Sequence, residues 1–179
     1  MAISEPAARP LTARDARLAP WRAFMLAHAR VTRRLDEEMH AEHDISFAEY
    51  DALLTIAEAP GRRIRMGQLA DEVLLSKSGV TRLIDRLVGD GLVERSACMA
   101  DARGAEAVLT EVGLTRLREA SQTHLRGISE HFLAVVDPMD LEMLERSMTA
   151  MARQAGPGQG EPAHCMPEGA ESQPQDGGR

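Results

Sequence analysis

The chain has 179 residues, 44% of them hydrophobic and 27% charged, a globular composition whose size excludes a large multidomain enzyme and favours one principal core. No run approaches the roughly 18 apolar residues needed to cross a bilayer, so a soluble chain with no membrane partner is expected. The net charge of −7 argues at first sight against a polyanionic partner such as nucleic acid.

In chain order, residues 1–10 are expected to be disordered. So is the tail 156–179, which holds six Gly and four Pro with few apolar side chains and cannot offset its ordering entropy. Residues 11–155 are then a single domain. Trp21, Phe24, His28, Val31, Leu35 and Met39 recur at three- and four-residue steps, the apolar stripe of a first helix over about 18–43. Ser46 and Glu49 have capping-box spacing and Ile45 can staple onto Tyr50, starting a second helix that ends before Pro60-Gly61.

The segment Arg62-Arg63-Ile64-Arg65 leads into a compact helix, GQLADEVL, a tight connection at Leu74-Leu75-Ser76, and the helix KSGVTRLIDRLVGDG. Ser76 is its expected N-cap, Val80, Leu83, Ile84 and Leu87 its buried face, and Gly89 to Gly91 its end. This is helix-turn-helix spacing. Leu92 to Arg95 and Ala105 to Leu109 read as two short strands, with the polar Met99 to Gly104 as the hairpin loop.

Thr110 caps a fifth helix over about 110–136 with Leu114, Leu117, Leu125, Ile128, Phe132 and Val135 on one side. Asp137-Pro138 opens a sixth over about 138–155. The expected fold class is therefore mainly α with a small β-hairpin wing: a winged helix-turn-helix over about 46–109 plus a helical dimerisation region. The long terminal helices carry more apolar surface than the compact centre can cover, which implies a homodimer.

With its apolar side inward, the helix after Ser76 displays Ser78, Thr81, Arg82 and, toward the edge, Arg86, with Ser76 and Lys77 at its start. Small hydroxyls let a helix enter a major groove about 12 Å wide, its amino terminus favours phosphate, and Arg binds guanine or backbone. The same face could be an ordinary solvated one; the short helix before it and the wing after it favour DNA. At the hairpin tip Asp101 can pair with an Arg and fix the loop, leaving Arg103 to reach a minor groove, although a polar turn would also use Asp101 and Gly104.

The run LADEVLLSKSGVTRLIDRLVGDGLVER followed by DARGAEAVLTEVG resembles the multiple antibiotic resistance regulator (MarR) family of bacterial winged helix-turn-helix transcription factors, including its D-x-R-G wing. The similarity covers about residues 18–153 and is strongest over 66–113. It implies a triangular homodimer, a pseudo-palindromic double-stranded DNA operator, and regulation relieved by a small-molecule effector. It places Ser76, Lys77, Ser78, Thr81 and Arg82 at the major groove, Arg86 on phosphate or against the wing, and Arg103 in the minor groove. Arg62, Arg63 and Arg65 are left with backbone electrostatics.

The sensory site is less legible. Cys98 and Cys165 are the two cysteines, too few for a disulfide scaffold; the amino terminus has no basic-then-apolar leader, so the reducing cytoplasm is expected. Relatives that sense peroxide carry a cysteine in the first helices, where this chain has none, and both thiols read as spectators. His40 and His43 close the first helix, while His124 and His131 lie about 10 Å apart along the fifth, too far to bind one metal ion together. No metal or cofactor is expected, although a metal-responsive regulator of the same family is an alternative. Trp21, Phe24, Met25 and His28 are the candidate ligand pocket, a polar group on an apolar stripe; a buried His bonded to a carbonyl is the plainer reading.

An enzyme is disfavoured because no Gly-rich phosphate loop, nucleophile elbow or His-Glu-x-x-His pattern is present. An architectural protein that binds DNA without sequence preference is a further alternative. Dividing the chain meets the charge objection: residues 60–104 carry eight basic and six acidic side chains, and residues 23–59 three basic and eight acidic. The winged module is net basic and the acidic excess sits in the scaffold and tail.

Overall fold

The computed structural model describes residues 11–73, 75–97 and 105–155. The expected disordered ends, Leu74 of the tight connection, and the loop holding Cys98, Asp101, Arg103 and Gly104 lie outside the described residues, as do Cys165 and the side chain of Lys77. Six α-helices and three strands stand among the described residues.

Helix α1 spans Ala19–His43, with a proline in its first turn and Asp44 at φ 53° in the left-handed region as its C-cap. The Asp44 amide donates to the His40 carbonyl at 3.1 Å and closes the last turn. Helix α2, Phe47–Glu58, begins with the expected capping box. The Glu49 amide donates to Ser46 Oγ at 3.2 Å, and the Ser46 amide donates to Glu49 Oε2 at 2.8 Å. The Phe47 amide also donates to Asp36 Oδ1 at 2.7 Å, which ties the start of α2 to α1.

A turn at Pro60–Arg62, with Gly61 at φ 68°, leads to β1, Arg63–Arg65. This strand adds a third member to the expected two-stranded hairpin. β2 (Val93–Ala97) and β3 (Ala105–Leu109) pair antiparallel, and β1 pairs antiparallel with β3, so the sheet order is β1-β3-β2. Ile64 opposite Ala107 sends both side chains into the core while the flanking arginines stay outside.

Between β1 and β2 lie α3, Met66–Glu72, and α4, Lys77–Gly89. The Ser76 hydroxyl accepts from the Gly79 amide at 3.1 Å, the expected N-cap. Val80, Leu83, Ile84 and Leu87 are all buried, each contributing on the order of 1.5–3 kcal/mol relative to exposure. They pack in one core with Met39, Tyr50, Leu53, Ile56, Leu69, Val93 and Ala107.

Helix α5 spans Glu111–Ile128. Its N-cap Thr110 accepts from the Gly113 amide at 2.9 Å, and its own amide and hydroxyl donate to the Leu92 and Gly91 carbonyls at 3.1 and 2.8 Å. The first turn is drawn so close that a Cβ on Gly113 would fall on the Leu92 carbonyl and lie 2.8 Å from Leu109 Cδ1. The continuous helix expected to about residue 136 is shorter. After Ile128 the hydrogen bonding widens into a π turn at Ser129–Leu133, with the Ala134 amide donating to the Ser129 carbonyl at 2.9 Å. Asp137 then caps a short turn, Pro138–Asp140, before α6, Leu141–Ala155.

Polar contacts join α1 to α5. The buried Thr123 hydroxyl donates to Glu42 Oε2 at 2.8 Å and therefore accepts from His43 Nε2, also at 2.8 Å. Arg126 pairs with Glu42, and His131 Nε2 lies 2.7 Å from Glu38 Oε1. The Thr123 hydroxyl, and next the Arg126 guanidinium, hold the Glu42 carboxyl below its ordinary range against the opposing effect of burial. The apolar side of the scaffold is left open: Trp21, Phe24, Met25, Leu125, Phe132 and Leu133 are exposed, and no residue of α6 is buried.

Candidate nucleic-acid interface

Burying Val80, Leu83, Ile84 and Leu87 forces the remaining face of α4 outward. Ser76, Ser78, Thr81, Arg82, Asp85 and Arg86 are all exposed. Ser78, Thr81, Arg82 and Asp85 fall at i, i+3, i+4 and i+7, so they form one stripe of short polar side chains with a single long cation. Ser76 Oγ lies 3.2 Å from Ser78 Oγ at the helix amino terminus, and Arg82 Nε donates to the Ser78 carbonyl at 3.4 Å. A narrow, hydroxyl-bearing helix face with free access to solvent has the shape and donor set that a major groove admits.

Arg86 is held from behind. Its Nε donates to Glu49 Oε1 at 2.9 Å, while the other oxygen of Glu49 serves the α2 capping box. Burial alone would raise the Glu49 carboxyl, but the Ser46 amide, the Arg86 guanidinium and the Ser46 hydroxyl together bring it below its ordinary range. Of the two roles expected for Arg86, phosphate contact and bracing of the wing, the geometry adds a third: an ion pair to α2.

Arg95, not singled out in the sequence, also sits at this surface, next to Asp85 on the exposed face of α4. Arg95, on β2, donates from Nη2 to Asp85 Oδ1 at 2.9 Å and to the Thr81 carbonyl at 3.3 Å, bridging wing strand and helix. The signal was the charge of Asp85 on an otherwise hydroxyl and basic stripe. Arg62 pairs with Glu111 at 3.0 Å and Arg63 with Glu106 at 3.7 Å, so both are engaged within the chain.

The candidate ligand residues are not enclosed in the single chain. Trp21 is 56% exposed, and the Trp21–Phe24 and Phe24–His28 rings follow one another along α1 with centroids 6.0 and 6.2 Å apart. His28 is exposed too in the single chain. Two open clefts lie elsewhere, around His40, His43, Asp44 and Arg116 and along the first turns of α5, and neither includes these four residues. Among the described residues no three His, Cys, Asp or Glu side chains are grouped to hold a metal ion, and no helix is long and apolar enough to cross a membrane.

A helix pair whose second member presents a polar stripe beside a small antiparallel sheet defines a winged helix-turn-helix protein. Residues 43–104 match the family model described as the MarR family. Among solved structures, the chain is 31% identical to AbsC, a MarR family transcriptional regulator from Streptomyces coelicolor, with a TM-score of 0.73 over 82% of this chain and 97% of that one. It is 28% identical to Sco3205 of the same organism, solved in complex with DNA, with a TM-score of 0.75 over 85% and 94% of the two chains. The fold is shared with a mutant MarR from E. coli complexed with operator DNA, at 22% identity and a TM-score of 0.69 over 79% and 99%. No curated protein matches the sequence. The chain belongs to the MarR family of transcriptional regulators.

Proposed function

We propose that the protein is a homodimeric repressor that reads a pseudo-palindromic operator in the cytoplasm and is released from it by a small molecule. The observation that carries this reading is the exposed stripe of α4. From it Ser76, Ser78, Thr81 and Arg82, joined by Lys77 at the helix start, meet bases or backbone in the major groove. Arg86 touches phosphate with its outer edge while Glu49 holds its Nε. Asp101 braces the wing loop, and Arg103 enters the minor groove. The DNA-bound structure of Sco3205, similar over most of both chains, supports the mode of engagement.

Dimerisation is supported by the open apolar faces of α1, α5 and α6, which in water carry an unfavourable hydration cost unless another surface covers them. A second copy offers the same helices, and closed two-fold symmetry would place two copies of α4 about one helical turn of DNA apart. Covering α1 would also convert Trp21, Phe24, Met25 and His28 from an open stripe into the wall of a cleft, where an effector would bind. Residues 11–155 act as one unit in this scheme.

Selection of duplexes from a random-sequence pool by the full chain, with its mass measured by light scattering, tests the reading. An enriched site with two inverted halves and a dimeric mass is expected. A monomeric mass, or equal recovery of all sequences, overturns it, the latter in favour of an architectural DNA-binding protein.

A further inference from the structure

Asp85 poses a problem for a groove-reading helix. It occupies the same stripe as Ser78, Thr81 and Arg82, and a bare carboxylate there would repel the phosphates on either side of the groove. Its partner Arg95 comes from β2 and makes two contacts at once, 2.9 Å to the carboxylate and 3.3 Å to the Thr81 carbonyl. The side chains of Arg95 and Asp85 are 39% and 57% exposed. An ion pair so open to water adds little to the stability of a fold, so its effect has to be sought in charge and position.

Both are specific. The carboxylate is neutralised on the face that would approach DNA, and a single guanidinium nitrogen, Nη2, bridges one helical turn of α4, from the Thr81 carbonyl to Asp85. Arg95 itself is fixed in register opposite Ala107 of the central strand. The bridge therefore ties α4 to β2, which runs on two residues past Arg95 to Ala97.

We propose that Arg95 is a positioning residue for DNA recognition: it masks Asp85 and locks the reading helix to the wing, and it acts without touching DNA. The proposal rests on the operator-binding reading above. The probes are the duplex most enriched by the full chain from a random-sequence pool and a scrambled duplex of equal length. Arg95→Ala is expected to lower affinity for the enriched duplex about tenfold and to narrow its preference over the scrambled one. In an Asp85→Asn background the same change is expected to cost no more than about threefold, because the charge to be masked is gone. Melting temperatures of all variants should stay within a few degrees of one another; if Arg95→Ala melts much earlier, Arg95→Gln carries the same comparison.

Equal losses in both backgrounds, with the salt slope reduced by about one, would mean that Arg95 contacts phosphate directly and overturns the proposal. Unchanged affinity in both backgrounds overturns it as well. Failure of the wild-type chain to enrich any duplex is a different result, because it removes the operator reading itself.

Discussion

Glu49 on α2 and Arg86 on α4 meet at 2.9 Å, so the carboxylate that caps one helix also anchors the helix proposed to face DNA. The carboxyl is held below its ordinary range in the fold. A depressed native value stabilises the fold above the unfolded-state value of about 4.3, and that contribution disappears as pH falls through the native value. Glu49→Gln should therefore lower the urea midpoint at neutral pH, and the gap between variant and wild type should close on acidification below about pH 4.3. Urea titrations across that range check the sign; a gap that widens in acid contradicts it.

Gly113 has no room for a side chain. Adding one methyl group drives it into the Leu92 carbonyl, which is backbone and already accepts from Thr110. Gly113→Ala is expected to cost about 1–3 kcal/mol or more, although alanine normally favours a helix by roughly 1 kcal/mol over glycine. Thermal melts of the two proteins decide which effect wins, and a more stable variant would show that the turn relaxes freely.

Arg82 and Arg103 should fail differently. Arg82→Ala is expected to weaken operator binding by about 1–3 kcal/mol and to relax base preference at its contact position. Arg103→Ala should weaken binding to all sequences more evenly and make the salt dependence shallower. Gel-shift titrations at several salt concentrations separate the two patterns; unchanged affinity in both variants excludes these faces.

Trp21 is the one tryptophan of the chain and stands open to solvent on α1. If a second copy covers this face, its emission should shift to the blue and its quenching by iodide should fall as protein concentration rises through the dimer range. Emission that stays red at every concentration, with a dimeric mass, would move the contact away from α1.

Local chemistry was the legible part of this chain. The Ser46–Glu49 box, the N-caps Ser76, Thr110 and Asp137, and the buried side of α4 each depend on residues within a turn or two, where side-chain type and spacing carry the information. β1 was not legible, because Arg63-Ile64-Arg65 is too short to show a period and becomes a strand only by pairing with β3, some forty positions on. The ion pairs Glu49–Arg86 and Asp85–Arg95 were hidden for the same reason. The π turn after Ile128 also escaped, since Phe132 and Val135 keep a helical period while the backbone hydrogen bonds change register. Of the candidate ligand residues, the rings of Trp21, Phe24 and His28 follow one another along α1, and nothing in the single chain encloses them.

Thr110 ends the central strand and begins α5, and its amide and hydroxyl are fastened to the carbonyls of Leu92 and Gly91 just beyond α4. Strand, reading helix and scaffold helix thus meet at one welded corner rather than at a hinge. A molecule seated among the scaffold helices would gain nothing by bending this corner. In the proposed dimer it would have to swing each α4-bearing head as a solid arm, so that a small tilt near α1 becomes a larger change in the span between the two heads.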